Sequence, residues 1–138
     1  MQYGLVGGTL AYSYSPALHH RIGDYPYDLF PMAEGELATF FAARAFDGVN
    51  VTIPYKAAVI PYLDEVEPAA AALGAVNTVV NRGGRLFGYN TDVCGMQALL
   101  ARAGVSLTGE NVLILGSGGT AHTALAVAQA AGARKIRM

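Results

Sequence analysis

Lys56 ends the stretch Asn50-Val51-Thr52-Ile53-Pro54-Tyr55-Lys56, one of four places in a 138-residue chain where polar side chains stand at chemically useful spacing. Asn50 and Thr52 lie two apart, so on a strand their side chains share one face while Val51 and Ile53 take the other. Polar groups at the C-terminal end of a parallel strand stand where α/β sheets bind ligands. A solvated lysine at a helix start would account for Lys56 as well, although the chain has only two lysines. The second place is Ala75-Val76-Asn77-Thr78 followed by Gly88-Tyr89-Asn90-Thr91-Asp92. Asn77 is expected to begin a strand, and Asp92 to lie in the first turn of a helix, where the dipole favours a carboxylate. Capping alone would also explain Asn90, Thr91 and Asp92.

The third is Ser13-Tyr14-Ser15-Pro16. Ser15 is a good N-cap, which is reason enough for it; Ser13 needs another. Two hydroxyls beside a helix N-terminus would suit a carboxylate. The fourth, Gly116-Ser117-Gly118-Gly119-Thr120-Ala121, fits G-x-G-x-x-A between an expected strand and an expected helix. Glycines there let the backbone turn tightly and approach a pyrophosphate, which meets the N–H groups of the helix N-terminus. The bland alternative is a turn that packs helix on strand. The residue that would read the cofactor ribose belongs about 20 residues further on, past Met138, so the motif does not choose between NAD and NADP.

The elements that must position these groups alternate. Tyr3–Gly7 and Tyr27–Met32 read as strands, with a helix between them from Ser15-Pro16 to about Ile22, proline being favoured at the first helical position. Residues 36–45 are helical, with Leu37, Phe40 and Phe41 on one face, and 48–54 form a strand ended by Pro54. Residues 56–73 read as two short helices broken by Pro61 and Pro68. Residues 75–81 and 85–90 flank Arg82-Gly83-Gly84 and suit a β-hairpin. A helix follows to Arg102, where Gly104 stops it. Residues 111–115 are a strand, 119–131 a helix, and Lys135-Ile136-Arg137-Met138 opens another strand. Such alternation implies an α/β fold with a mostly parallel sheet. Composition shifts near 103–109, giving an expected boundary between domains at 1–102 and 103–138. The second is only the first βαβ part of a doubly wound sheet, so the chain is expected to be a truncated piece of a larger protein.

Composition narrows the function. Hydrophobic residues make up 53% and charged residues 14%, which excludes a disordered chain. Nine Lys and Arg against ten Asp and Glu give a net charge of −1, and no basic excess offers a footprint for nucleic acid. Three of the nine cations (Arg134, Lys135, Arg137) crowd the C-terminus; without them six face ten acids, a net of −4. A single cysteine, Cys94, forms neither an internal disulfide nor a CxxC zinc site, and it reads as a small hydrophobe in a helix. The three histidines show no ligand spacing, so no metal is expected. His19 and His20 are given no role. Neither a targeting segment nor a membrane span is expected, and the compartment reads as cytoplasmic.

Taken together, YGLVGGTLAYSYSPALHH, GVNVTIPYK, LGAVNTVV, LFGYNTDVCG and VLILGSGGTA resemble the shikimate dehydrogenase family, in the family's order and over essentially the whole chain. NVTIPYK, AVNT and NTD carry most of the specificity. The resemblance implies a three-layer substrate-binding domain followed by the start of a Rossmann-type domain. It also implies NADP-dependent, reversible reduction of 3-dehydroshikimate to shikimate in aromatic amino-acid biosynthesis, by a monomer or homodimer. By the same resemblance Ser13 and Ser15 bind the substrate carboxylate, and Thr52, Asn77 and Asp92 bind its hydroxyls and reacting carbonyl. Lys56 and Asp92 are the catalytic pair, Asn50 is a supporting polar group, and Gly116, Gly118 and Gly119 cradle the cofactor pyrophosphate. The chemistry is coherent: hydride addition builds charge on a carbonyl oxygen, a protonated lysine stabilises it and gives up the proton, and a carboxylate orients the lysine.

The chain departs from the family at Thr120-Ala121-His122, where a small residue and then an arginine are common. Family members are also longer. The rest of the nucleotide sheet, the segment that grips a 2′-phosphate, the C-terminal helices, and a tyrosine and a glutamine that complete the substrate pocket have no counterpart in these 138 residues. Three other readings stay open at this level: a relative that takes quinate or both substrates, a fragment that binds shikimate without catalysis, and an unstable fragment without function.

Overall fold

A computed structural model describes residues 2–138. The chain divides into two compact units, residues 1–90 and 91–138. This division by packing falls ahead of the boundary at 102/103 read from composition.

The first unit is built on a six-stranded sheet in the order β2-β1-β3-β5-β6-β4. Its strands are β1 (Tyr3–Gly7), β2 (Tyr27–Pro31), β3 (Gly48–Val51), β4 (Glu65–Val66), β5 (Thr78–Arg82) and β6 (Arg85–Tyr89). β1 runs parallel to β2 and β3, and β6 parallel to β4; β5 alone runs against its neighbours β3 and β6. The sheet is therefore mixed but mostly parallel, as alternating apolar runs and helical patterns implied.

The chain leaves β1 through α1 (Ser15–Ile22) to β2 on one side, then returns through α2 (Leu37–Ala43) to β3 on the other. Right-handed crossovers in opposite directions put the two helices on opposite faces. The side chains follow. Val6, Leu37, Phe41, Val49, Val51, Val79 and Leu86 form one buried cluster, while Leu5, Leu10 and Tyr27 form a second. In the larger cluster Phe40 stacks on Phe46 and Phe41 on Tyr62. α2 stops where Arg44 enters the left-handed region at φ 51°.

Several boundaries differ from expectation. β3 ends at Val51 rather than at Pro54, and β5 begins at Thr78 rather than at Ala75. Residues 56–73 hold two short helical segments, as read, but a strand lies between them. They form a 3₁₀ turn (Ile60–Tyr62), the two-residue β4, and α3 (Pro68–Leu73). β4 exists because Asp64 and Glu67 donate their backbone N–H groups to the carbonyls of Leu86 and Gly88, both at 2.9 Å. The hairpin forms as read, with Arg82 opposite Arg85.

The second unit holds α4 (Asp92–Arg102), β7 (Asn111–Leu113), α5 (Gly119–Ala130) and β8 (Lys135–Arg137). β7 and β8 are parallel, with Val112 opposite Ile136. Ile114, Ala121, Val127 and Ala128 are buried, while Leu113 and Leu115 are exposed. No helix among the described residues is long and apolar enough to cross a membrane.

Candidate active site

Because the chain goes from β1 to one side and returns to the other, β1 and β3 border a topological switch point, where open α/β sheets leave a crevice beyond their strand ends. The loop after β1 carries Ser13, and the segment after β3 carries Thr52 and Lys56. β5 is reversed, so its start rather than its end lies at that rim: Thr78 is the register partner of Asn50, and Asn77 stands one residue before it. β6 ends there too, Tyr89 being opposite Thr78. Ser13, Thr52, Lys56 and Asn77 thus come from elements that finish or begin at one end of one sheet.

Each is held by its backbone. The Thr52 N–H donates to the Val6 carbonyl at 2.9 Å, and the Thr52 carbonyl accepts from the Tyr55 N–H at 2.9 Å. That turn ends the strand alternation. Ile53, expected beside Val51, is instead 74% exposed, because the chain leaves the sheet after Val51. The Ile53–Pro54 peptide is cis. Tyr55 is buried and donates its hydroxyl to the Met32 carbonyl at 2.7 Å, which anchors the loop just before Lys56. The Lys56 carbonyl accepts from the Val76 N–H at 2.7 Å, tying the lysine segment to the Asn77 segment. Lys56 itself is half-buried.

Gly7 is required here. A Cβ on it would stand 2.7 Å from both the Thr52 methyl and a Leu10 methyl. The end of β1 therefore lies against Thr52 with no room for a side chain.

The serines exchange the explanations expected for them. Ser15 is the first residue of α1, not its cap; Tyr14 holds the cap position, with no side-chain cap bond. The Ser15 N–H donates to Ser13 Oγ at 3.2 Å, so it is Ser13 that satisfies a helix-start donor. A hydroxyl that accepts this bond keeps its own proton to donate.

Asn77 is only 7% exposed. Its N–H donates to the Tyr89 carbonyl at 3.0 Å, its carbonyl accepts from the Val51 N–H at 2.8 Å, and its Oδ1 accepts from the Thr78 hydroxyl at 3.0 Å. Asn90, read as a possible cap, instead donates its amide to the Ala75 carbonyl at 2.9 Å and pins the loop before Asn77. Asp92 belongs to the second unit, as the first residue of α4, and is half-buried.

Sequence reasoning missed Tyr27 and undervalued Thr78. Tyr27 donates its hydroxyl to Asn50 Oδ1 at 2.8 Å, and Asn50 Nδ2 donates to Thr78 Oγ1 at 3.2 Å. Burial, with Tyr25 nearby, pushes the Tyr27 phenol up to about 12. Thr78 sat within the AVNT motif and could have been found; nothing around Tyr27 in the sequence marks it.

In the second unit, Gly116 has φ +120°, a conformation that L side chains rarely adopt. Gly118 and Gly119 are different. A Cβ on either would meet nothing within 4 Å, so packing of helix on strand does not demand them. α5 begins at Gly119, with no side-chain cap bond and no acidic residue in its first turn. Open backbone at a helix N-terminus fits the pyrophosphate of a dinucleotide.

Comparison with known proteins gives this geometry a family. The shikimate dehydrogenase substrate binding domain is matched over residues 5–79. The NADP(+) shikimate dehydrogenase of Chlorobium phaeobacteroides is 44% identical over 131 residues, covering 88% of this chain and 44% of that protein. That of Geobacillus kaustophilus is 45% identical over 129 residues, covering 87% and 47%. The crystal structure of shikimate 5-dehydrogenase from Thermus thermophilus in complex with shikimate superposes with a TM-score of 0.89 at 35% identity, covering 100% of this chain and 57% of that one. The chain spans about half the length of the curated relatives it matches. On its matched domain, its relatives and its fold, the chain belongs to the shikimate dehydrogenase family.

Proposed function

We propose that this chain supplies the substrate pocket and the first part of the cofactor site of an enzyme that interconverts 3-dehydroshikimate and shikimate with NADP(H), in aromatic amino-acid biosynthesis. The observation that carries the reading is the rim at the β1/β3 switch point, where Ser13, Thr52, Lys56 and Asn77 belong to elements meeting at one end of the sheet. The Ser13 and Ser15 hydroxyls receive the substrate carboxylate. Thr52, Asn77 and Asp92 receive its hydroxyls and reacting carbonyl. Lys56 donates a proton to the oxygen on which charge develops, and Asp92, the other member of the proposed catalytic pair, accepts a substrate hydroxyl.

The nicotinamide cofactor, when bound, supplies the hydride. Gly116, Gly118 and Gly119 approach its pyrophosphate. NADP is preferred on the strength of the relatives; a shikimate 5-dehydrogenase from Listeria monocytogenes has been solved with shikimate and NAD. The functional division is set at 102/103, with Asp92 on α4 counted among the substrate-binding residues. The protein works in the cytoplasm as a monomer or homodimer.

A shikimate titration followed by two-dimensional amide NMR tests this. The amides of Ser13, Ser15, Thr52, Asn77 and Asp92 are expected to move together and saturate, with NADP⁺ moving Gly116, Gly118 and Gly119 separately. A dispersed spectrum in which shikimate moves none of them overturns the substrate assignment.

A further inference from the structure

We propose that Tyr27 and Thr78 are positioning residues for Asn77, fixing which way round its carboxamide faces through a one-directional chain of hydrogen bonds. The proposal rests on the reading that Asn77 contacts substrate oxygens. The chain runs from Tyr27 Oη to Asn50 Oδ1 at 2.8 Å, from Asn50 Nδ2 to Thr78 Oγ1 at 3.2 Å, and from Thr78 Oγ1 to Asn77 Oδ1 at 3.0 Å.

Its direction follows from counting protons. An amide has nearly identical ends, and its orientation is chosen by its partners. A phenol has one proton, and Tyr27 gives it to Asn50. Asn50 then offers its NH₂ to Thr78 and, at 3.5 Å, to the Asn77 carbonyl. Thr78 accepts from Asn50, so its single proton goes to Asn77 Oδ1. The amide of Asn77 is thereby turned with its oxygen toward Thr78 and its NH₂ away from it.

The first member is well fixed. Tyr27 lies in β2 and reaches past β1 to Asn50 in β3, buried and stacked on His19 with ring centroids 3.7 Å apart and planes at 13°. Its raised pKa keeps the phenol proton in place at any ordinary pH. Without that proton, Asn50 keeps only its 3.5 Å bond to the Asn77 carbonyl to oppose turning over, and the direction that Thr78 passes to Asn77 Oδ1 is weakened.

The test compares Tyr27→Phe, Thr78→Val and Thr78→Ser in the 138-residue chain, reading the Asn77 side-chain amide resonances and shikimate affinity. Each variant removes or keeps one hydroxyl, and backbone amide dispersion checks that it folds. Tyr27→Phe and Thr78→Val are expected to shift or broaden the Asn77 Nδ2 resonances and to weaken shikimate about five- to tenfold, the worth of one hydrogen bond. Thr78→Ser is expected to keep the wild-type resonances and affinity. The proposal is overturned if Thr78→Ser behaves like Thr78→Val, or if the Asn77 amide does not respond to loss of the Tyr27 hydroxyl. Should wild-type protein ignore shikimate, the substrate reading falls, and the Asn77 resonances of the three variants still decide whether the chain of bonds sets its orientation.

Discussion

Lys56 is the proton donor in the proposed reaction. If it donates the proton that accompanies hydride addition, Lys56→Ala should lower kcat by about 10²–10⁴ while shikimate affinity changes little. Steady-state oxidation of shikimate with NADP⁺ measures both; a rise in KM with kcat unchanged would make Lys56 a binding residue only. The placement of Thr52, Lys56 and Asn77 at one rim of the sheet was legible in the sequence because each sits in a short motif beside a strand end. Tyr27 was not, because its partner Asn50 is brought within reach by the register of three strands, and register is not written locally. The serines show a subtler limit. Both were marked, but which hydroxyl serves the helix start depends on one backbone bond, Ser15 N–H to Ser13 Oγ.

At the scale of elements, the Gly83-Gly84 hairpin was readable and β4 was not. A two-residue strand has no periodicity to read, and it is held from outside by backbone bonds to β6. Asp64 reinforces that edge. Its carboxylate accepts from the Leu86 N–H at 2.7 Å and pairs with Arg44 at 2.9 Å, and Arg44 also donates to the Gly84 carbonyl. The Leu86 N–H first, and Arg44 second, hold the Asp64 carboxyl below the usual carboxylate range. A folded pKa below the unfolded one contributes stability at neutral pH, and this contribution is lost as pH falls from about 3.9 through the folded value. Urea unfolding at pH 7 and pH 3 should therefore show a smaller acid-induced loss in Asp64→Asn than in wild type. Equal losses would mean that the carboxylate is too well solvated to matter.

At the scale of the molecule, alternating apolar runs and helical patterns revealed a mostly parallel sheet and the start of a second α/β unit. Composition placed the division after residue 102, whereas packing places it after Asn90. Composition cannot see that α4 packs against α5. In the second unit, the open space over Gly119 yields a clean separation of stability from binding. Gly119→Val should leave folding stability within about 0.5 kcal/mol, as for an exposed substitution, and abolish the NADP⁺-induced amide shifts. Thermal melting beside an NADP⁺ titration checks it, and retained shifts would remove the glycine cradle from the cofactor site. The reversed β5 has a wider consequence. It adds the beginning of a strand to a rim otherwise made of strand ends, so the candidate site draws its residues from seams between elements. Core positions such as Val6 and Leu86 answer to volume, and seam positions answer to chemistry. The two sets can drift separately over generations, so a change at the rim need not disturb the interior.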